Sequence, residues 1–561
     1  MRSHWTQAVL VAAVLAAAHT WPLATAPGRH SLNHNGDVML NEWIVAWVQH
    51  RLPRDPPQLF QANIFHPAPD SLAFSEPLIV PALLGAPVRV LGGSPVLVHN
   101  LLLLAGLAMT MLGGYALAHA WTGDRMASLL AGSVWAFNTH SLTRLEHLQA
   151  QHAYGVPLAI LAADRLITTG HLRYALWLAL WMVVMAYTSG YLVVYTTIAL
   201  ALLIVVRLPS GGRAIVGFAL ASILAALAIL PLYLPYRRVA IEQDMVRTLD
   251  SIGEFSATID SYWSSYSRLH HWLWNAGAAR EVPDAFFPGI AVVLLMGVAI
   301  RVHTRRAADR VARRRMLVMV TLCVAGCLLS LGTRTPIYGW LYEIFPPLAG
   351  IRAAARFGVL FLLGAAVLAA MGLAAVRQRT GRSPMATIMA AVLVLIVNIE
   401  AWRAPFVYTE FRGIPGLYTL LAREPGPVVV VEVPFYPPEA VFHNAEYVLN
   451  STAHWRLLMN GYSGYTPATY GEYASVFRHF PEPGVLDAMR AAGATHLVVH
   501  PKRFEEDADE TLRRALDDPR LERIAVSRDN VTLFRIRPTP DPEVGITPDL
   551  KVGPTSLSLL R

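Results

Sequence analysis

Asp37 stands near the start of a long polar segment, residues 27–97, that separates the first two apolar segments of the chain. The segment has too many proline, asparagine and charged residues to lie in lipid. A carboxylate just outside a membrane helix can act as a general base and deprotonate an acceptor hydroxyl within hydrogen-bond reach. Asp37 also precedes an apolar-periodic run at 38–48, so a helix N-cap is an equally good interpretation. An interfacial helix that begins at a catalytic aspartate would satisfy both.

Glu76 is a second carboxylate of the same segment, in the sequence Phe74-Ser75-Glu76-Pro77. It could act as a partner of Asp37, as a ligand of sugar hydroxyls or as a ligand of a metal. The alternative is a structural residue in the first turn of the next helix, with Pro77 at the first helical position.

A polar cluster at 144–149 contains His147 and lies between two apolar segments. Polar groups at the mouth of a helix bundle usually face a cavity or the bundle interior, so substrate contact by His147 is one interpretation. Anchoring at the membrane interface is the other. Glu146 and His152 add metal-ligating side chains, but their spacing matches no zinc pattern.

Arg352 and Arg356 precede an apolar segment on the side where arginines are otherwise scarce. They are four residues apart, which predicts that they share a helix face. Paired guanidinium groups hold phosphate through bidentate charge-assisted bonds. The alternative is anchoring to lipid headgroups.

The composition indicates a membrane protein. The 561 residues are 54% hydrophobic and only 15% charged, whereas soluble domains have about 25% charged residues. The formal net charge is +8, and Lys502 and Lys551 are the only lysines. Because the arginines lie largely in short runs between apolar segments, no nucleic-acid partner is expected. Cys323 and Cys327 share a helix face in an apolar run and are packing residues rather than a disulfide framework.

Apolar segments of about 20 residues cross the hydrocarbon core as helices, and hydropathy predicts about eleven of them within residues 1–402. They are 6–26, 96–119, 126–138, 153–167, 175–189, 191–206, 215–233, 287–302, 316–331, 357–376 and 385–402. The predicted fold class is a polytopic α-helical membrane protein.

Short arginine-rich loops predict the orientation of these spans. They are 172–173, 207–213, 301–315 and 377–382, all on the side of Arg2. Cytoplasmic loops carry an excess of basic residues, so the amino terminus is expected in the cytoplasm. The loops 27–97 and 235–288 and everything after Arg403 then lie outside. The first segment could instead be a cleaved signal peptide, which would leave 27–97 as an amino-terminal arm.

The composition changes after residue 402. Apolar runs at 428–433, 496–500 and 531–536 predict buried strands, and helical spacing is found at 483–492 and 505–516. Residues 403–537 are therefore predicted to form an outer α/β domain. Residues 538–561 are rich in proline and glycine and are predicted to be a loosely held tail.

Five strings of the chain carry a resemblance. They are Gly36-Asp37 with Trp43 and Trp47, Asn63-Ile64-Phe65-His66-Pro67, Leu72-Ala73-Phe74-Ser75-Glu76, His147-Leu148-Gln149 and Asn460-Gly461-Tyr462-Ser463-Gly464. Together with the order of one span, a long loop with an acidic residue, further spans and a carboxyl-terminal domain, they resemble the C-type glycosyltransferase (GT-C) superfamily. The string-level similarity is to a group of bacterial membrane proteins described as glycosyltransferase-like.

This resemblance implies transfer of a sugar, with inversion, from a polyprenyl-phosphate donor to a periplasmic or lipid-linked acceptor, a glycan or a lipid. Asp37 would take the acceptor proton, and Arg352 and Arg356 would hold the phosphate in a partly dry site. The further candidate substrate-binding residues are Glu76, His147, Gln149 and Trp43. The sequence lacks the Asp-Glu or Asp-x-Asp pair that several relatives have at the loop start. No metal or other cofactor is therefore expected, although a divalent metal stays open.

The resemblance also implies a bacterial inner-membrane protein that acts on the periplasmic side and contacts membrane lipid. Two other functions remain open. One is a transporter or flippase for lipid-linked sugars, and the other is a non-catalytic scaffold whose outer domain binds a glycan or a partner. The sequence has no phosphate-binding loop, dinucleotide glycine pattern or serine-nucleophile elbow. A soluble nucleotide substrate and ATP-driven transport are therefore not expected.

Overall fold

The computed structural model describes residues 2–209, 211–245, 248–274, 284–305, 309–381, 383–504, 507–527 and 529–537. Up to residue 402 the described chain is a helix bundle, with helices where the apolar segments were predicted. The first helices are α1 (Arg2–His19), α2 (Gly36–Arg51), α3 (Ile79–Val90), α4 (Pro95–Thr122), α5 (Arg125–Ala136), α6 (Thr139–Leu142), α7 (Leu148–Gln151), α8 (Gly155–Thr169), α9 (Arg173–Ala186), α10 (Gly190–Arg207) and α11 (Gly212–Glu242). They are followed by α12 (Leu249–Glu254), α13 (Arg268–Trp274), α14 (Ile290–Arg305), α15 (Arg310–Ser330), α16 (Pro336–Ile344), α17 (Gly358–Thr380) and α18 (Pro384–Glu400).

Helix length separates clear membrane spans from shorter segments. Four stretches of the described chain, Pro95–Thr122, Gly190–Arg207, Gly212–Glu242 and Ala354–Thr380, are long and apolar enough to cross a membrane. Others are apolar but shorter, such as α9 with 14 residues, where about 20 residues are needed to cross the hydrocarbon core. The chain is thus a helical membrane protein, and the predicted number of spans stays a prediction.

Helix α17 forms the centre of the bundle. It packs against α4, α5, α14 and α15, and 83% of its apolar window is buried. Small residues allow this close approach, as in other membrane helix contacts. A Cβ atom at Gly364 would lie 2.7 Å from the Met319 carbonyl oxygen, and one at Gly372 would overlap the Leu295 carbonyl oxygen.

The packing predicts a difference between two glycines. Gly372→Ala should destabilise the bundle by about 1–3 kcal/mol, because helix α14 would have to move. Gly297→Ala, on α14, is the matched control, since a Cβ there would meet no described atom within 4 Å. It should be neutral or stabilising, because alanine favours helix. Midpoints of thermal unfolding in detergent test this, and equal midpoints for the two variants would contradict the packing.

Buried ion pairs join helix ends where the arginine-rich loops lie. Asp164 contacts Arg207 at 2.8 Å and Arg315 at 2.7 Å. At the same end, Asp124 contacts Arg377 at 2.8 Å. Three arginines from the loops used to predict orientation therefore bind carboxylates between helices. Losing one partner of such a pair leaves a buried charge without compensation and is strongly destabilising.

A two-stranded ribbon and a larger sheet complete the described chain. The strands are β1 (His30–Ser31), β2 (Thr409–Glu410), β3 (Val429–Val433), β4 (Leu457–Leu458), β5 (His496–Val499), β6 (Leu521–Val526) and β7 (Thr532–Ile536). The helices around the larger sheet are α19 (Leu417–Leu421), α20 (Ala445–Asn450), α21 (Ala468–Phe477), α22 (Val485–Ala491) and α23 (Ala508–Asp517). We call residues 417–537 the sheet unit. The predicted tail, 538–561, lies outside the described residues.

The sheet has the order β4-β3-β5-β7-β6. Strand β3 is parallel to both β4 and β5, whereas β7 is antiparallel to β5 and β6. Strands β3 and β5 are buried at every position, which explains why their apolar runs predicted them. Strands β4 and β6 were not predicted, because β4 has two residues and β6 alternates with charged side chains.

The segment between α2 and α3 docks on the edge of this sheet through its backbone. The Leu458 N–H donates to the Asn63 carbonyl at 2.7 Å, and the His66 N–H donates to the Leu458 carbonyl at 3.0 Å. The Phe65 N–H donates to the Asn460 carbonyl at 3.1 Å. Pairing with a sheet edge satisfies the backbone of both partners. It also fixes the sheet unit over one end of the bundle, which we call the sheet end.

Candidate functional site

Helix α2 places Asp37 at the sheet end. The helix begins at Gly36, and the Asn35 side chain accepts the Asp37 N–H at 2.8 Å. The prediction that Asp37 caps this helix is therefore wrong, and Asn35 is the cap. The prediction of an amphipathic helix is wrong too, because residues 40–48 are all buried and leave no exposed polar face. The described structure covers α2 with α3, α4 and α20.

The Asp37 carboxylate has two neighbours from distant parts of the chain. Its Oδ1 accepts the Tyr462 hydroxyl at 2.6 Å. Its Oδ2 lies 3.6 Å from His147 Nδ1. The Asp37 side chain is 38% exposed, so a carboxylate held by protein groups on two sides remains open to an incoming molecule.

His147 is carried by a polar segment, residues 138–154, that enters the end of the bundle. Its backbone is satisfied by side chains, as it must be away from water. The Gln151 amide donates to the carbonyl of Arg144 at 2.7 Å, and Thr110 of α4 donates to the Gln151 carbonyl at 2.7 Å. His152 contacts the Leu102 carbonyl at 3.0 Å. These bonds hold the His147 imidazole at a fixed place between two charged groups.

Arg356 determines which nitrogen of His147 carries the proton. Arg356 Nη2 donates to His147 Nε2 at 3.1 Å. A guanidinium can only donate, so Nε2 is the acceptor and the proton of the neutral ring is on Nδ1, which faces Asp37. Burial, followed by the charges of Arg356 and Arg144, lowers the pKa of His147 well below its usual value. His147 is therefore a neutral imidazole with its N–H turned towards Asp37.

This shift predicts how stability depends on pH. Below about pH 6.5 the unfolded chain protonates His147 but the folded chain does not, so folding stability falls as pH falls. His147→Gln keeps an acceptor for Arg356 and a donor for Asp37, and it does not titrate. The variant should lose less stability than the wild type between pH 7.5 and 5.5, by about 1 kcal/mol.

Midpoints of thermal unfolding at the two pH values check this expectation. The control is His479→Gln, which removes a histidine whose side chain is 45% exposed in the sheet unit; because His147 is unchanged, this variant should still lose stability at pH 5.5. If His147→Gln matches the wild type, the buried neutral state of His147 is wrong.

The two arginines predicted to share a helix face do not. Arg352 precedes a short 3-10 turn, Ala354–Phe357, and its guanidinium lies 4.2 Å from the centre of the Phe255 ring. Arg356 lies within the turn and turns the other way, over the Tyr191 ring at 4.7 Å. The prediction of a helical pair failed because these residues are not in an α-helix. Only Arg356 contacts His147.

Glu76 is close to this group but caps another helix. Its Oε2 accepts the Gly190 N–H at 2.8 Å, at the amino terminus of α10. The prediction that Pro77 begins the next helix is wrong, because α3 begins at Ile79. Burial raises the pKa of Glu76, and bonds from α10 and the charge of Arg356 act against that shift. Glu76 thus supports the position of α10, which carries Tyr191.

Two other predicted residues lie outside the contacts of Asp37. Trp43 is 1% exposed and donates its indole N–H to Asn63 at 3.2 Å. The structure therefore places it in the contact between α2 and the segment that joins α2 to α3. Gln149 is 8% exposed and lines a cavity behind His147.

That cavity has a volume of about 50 Å³, enough for a few water molecules but not for a sugar ring. Its lining includes Arg356, Trp135, Tyr195 and Gln149. The Trp135 Nε1, the Tyr195 hydroxyl and the Gln149 Oε1 are buried without a hydrogen-bond partner among the described residues. Trp135, Tyr195 and Tyr191 were not singled out from the sequence, since aromatic residues at helix ends are common in membrane proteins.

Metal-ligating side chains do not gather at this site. Within the described ranges, no three histidine, cysteine, aspartate or glutamate side chains form a group that could hold a metal ion. Burial raises the pKa of Glu146, and the negative charge of Asp37 adds to that shift.

Comparison with solved structures gives the fold. The arabinofuranosyltransferase AftD from Mycobacteria matches with a TM-score of 0.62 at 13% sequence identity, over 96% of this chain and 40% of that one. The chain has a GT-C-like fold. This confirms the fold that the resemblance implied, and the chain spans about 40% of the length of AftD.

Two further GT-C structures match over most of the chain. The match to the oligosaccharyltransferase of Archaeoglobus fulgidus extends over 89% of this chain and 70% of that protein, at 12% identity and a TM-score of 0.49. ArnT from Cupriavidus metallidurans covers 95% of this chain and 98% of its own, at 11% identity and a TM-score of 0.47. The fold assignment rests on the first match. No protein-family model and no curated protein matches the sequence.

Proposed function

We propose that this protein is a glycosyltransferase that moves a sugar from a polyprenyl-phosphate donor to an acceptor hydroxyl with inversion at the anomeric carbon. The observation that carries the proposal is the row Asp37, His147 and Arg356 at the sheet end. It combines an accessible carboxylate with a half-buried cation, and one neutral imidazole separates them. The GT-C-like fold supports the same class of reaction.

The row has a proton acceptor, Asp37, at one end and a cation, Arg356, at the other, and such a transfer needs both. The acceptor oxygen attacks the anomeric carbon from one face while the bond to phosphate oxygen breaks on the other. Asp37 takes the acceptor proton.

The phosphate is proposed to bind at Arg356. Its guanidinium is mostly enclosed between Tyr191 and His147, and a cation in a partly dry site stabilises the departing phosphate strongly. The unpartnered donors of Trp135 and Tyr195 lie in the cavity beside it. They would bond phosphate oxygens or the waters between them. Phosphate is a good leaving group, so no separate acid is required.

The sugar and the acceptor then lie on the exposed side of Asp37, because the cavity behind His147 is too small for them. We place this side in the periplasm of a bacterial inner membrane, with the amino terminus in the cytoplasm. The arginine-rich loops at the opposite end of the bundle support this orientation. The acceptor is a glycan or a lipid-linked molecule, and no metal ion is required by this scheme.

Reconstituted protein tests the proposal. The protein in lipid nanodiscs is given synthetic polyprenyl-phosphate pentoses and hexoses with a mixture of glycan and lipid acceptors. Release of free polyprenyl phosphate, measured by mass spectrometry together with the glycosylated product, is expected for one donor. The same protein is also tested in sealed vesicles. Movement of the donor across the bilayer without release of polyprenyl phosphate would instead support a transporter.

A further inference from the structure

The sheet unit contacts the candidate base directly, through a residue that does not belong to the helix bundle. Tyr462 lies in Asn460-Gly461-Tyr462-Ser463-Gly464, between β4 and α21. Its hydroxyl donates to Asp37 Oδ1 at 2.6 Å across 425 residues of sequence. Burial, followed by the charge of Asp37, raises the pKa of Tyr462, so the phenol keeps its proton and acts as a donor.

The loop that carries Tyr462 is fixed from both sides. The Asn460 side chain accepts the Glu432 N–H at 2.7 Å and donates to the Glu432 carbonyl at 2.9 Å. This pair of bonds ties the loop to β3. A Cβ atom at Gly461 would lie 2.5 Å from the Phe65 ring, and one at Gly36 would lie 3.2 Å from the Tyr462 ring. The absence of side chains at both glycines lets the ring reach Asp37.

We propose that Tyr462 is a positioning residue, by which the sheet unit holds one oxygen of Asp37 so that the other faces the acceptor. The inference rests on the proposed function, in which Asp37 is the base. It gives the sheet unit a part in the reaction rather than a role as a cover. A short hydrogen bond from a neutral donor fixes the rotamer of a carboxylate.

Several charged or titratable groups surround this contact. They are Glu146 and His147 from the 138–154 segment, Tyr462 from the sheet unit, and Arg352 and Arg356 from the segment before α17. Tyr462 and His147 contact the carboxylate oxygens. Because the charged groups stay the same in Tyr462→Phe, that variant isolates the donor to Oδ1.

Carbodiimide labelling tests the contact without relying on turnover. The reagent modifies protonated carboxyl groups, and the 38% exposed side chain of Asp37 is open to it. In the full-length protein in detergent at one fixed pH, the rate of labelling at Asp37, followed by peptide mass spectrometry, should rise about threefold in Tyr462→Phe, because Oδ1 loses the hydroxyl that is bonded to it. The matched control is Tyr465→Phe, whose hydroxyl donates to the Gln243 carbonyl at 2.8 Å. It should label like the wild type.

Kinetics give the second measurement. With a donor that the wild type uses, Tyr462→Phe should lower kcat about tenfold at neutral pH. The KM for the donor should stay within about twofold, because the phosphate site is unchanged. A purely structural role would lower the thermal midpoint without changing the labelling rate at Asp37.

A second variant covers the case in which Tyr462→Phe does not fold. A Cβ atom at Gly36 would lie 3.2 Å from the Tyr462 ring, so Gly36→Ala should displace the ring and raise the labelling rate at Asp37 as well. The inference is overturned if Tyr462→Phe labels no faster than Tyr465→Phe. Where only Gly36→Ala folds, labelling at the wild-type rate overturns it. Full transfer activity in Asp37→Asn would instead overturn the proposed function, whatever the labelling shows.

Discussion

The Asp37→Asn protein should lose transfer activity by about 1,000-fold or more while it still binds donor. Asparagine keeps the size of the side chain and an oxygen that accepts the Tyr462 hydroxyl, but it takes no proton from the acceptor. General-base catalysis of this kind contributes about 100-fold to 10,000-fold. The rate of polyprenyl phosphate release and the affinity for polyprenyl phosphate, both measured in nanodiscs, separate the loss of chemistry from the loss of binding.

Two other carboxylates serve as controls for this result. Asp55→Asn makes the same change just after the far end of α2, where Asp55 pairs with Arg51 at 3.0 Å; it should leave the rate within about twofold, as surface pairs contribute little. Glu146→Gln changes the carboxylate beside Asp37. If Glu146→Gln abolishes transfer and Asp37→Asn does not, the base has been assigned to the wrong residue.

Arg356→Gln should weaken the binding of polyprenyl phosphate by about 100-fold. Removing a charge-assisted bond in an enclosed site costs about 2–3 kcal/mol, which corresponds to that change in the dissociation constant. Glutamine can still donate to His147 Nε2, so the variant removes the cation and preserves the bond to the imidazole. Binding can be followed by native mass spectrometry of the protein with polyprenyl phosphate.

The matched control for this prediction lies four residues earlier. Arg352→Gln removes an arginine that packs on Phe255 and has no contact with His147. It should change donor affinity by no more than about threefold. Equal losses in the two variants would mean that both arginines bind phosphate, as the sequence spacing had predicted, and would contradict the division seen in the structure.

Much of the fold could be predicted from local sequence. A run of apolar residues must become a helix in lipid, because its backbone has no other way to satisfy its hydrogen bonds. For that reason the predicted segments agree with helices such as α4, α10 and α17 within a few residues. The buried strands β3 and β5 were found for a similar reason, since each is apolar over nearly its whole length.

Predictions that depended on helical spacing in loops failed. Arg352 and Arg356 were expected on one face, but a 3-10 turn begins between them and sends the side chains apart. Asn35 rather than Asp37 caps α2. Asparagine and aspartate are both favoured at the N-cap, and these two residues stand only two positions apart, so the sequence does not decide between them. Glu76 caps a helix that begins 114 residues later in the chain. No local pattern contains a partner at that distance.

The sequence by itself determined that this is a helical membrane protein and that a carboxylate follows its first apolar segment. Composition and hydropathy are sums over neighbouring residues, and they need no knowledge of the packing. Only the tertiary structure decided which groups meet at Asp37. It brought Tyr462 from the sheet unit and His147 from between α6 and α7, and it placed Arg356 in contact with His147. Those choices follow from backbone pairing at a sheet edge and from close helix contacts, which join residues that are hundreds of positions apart.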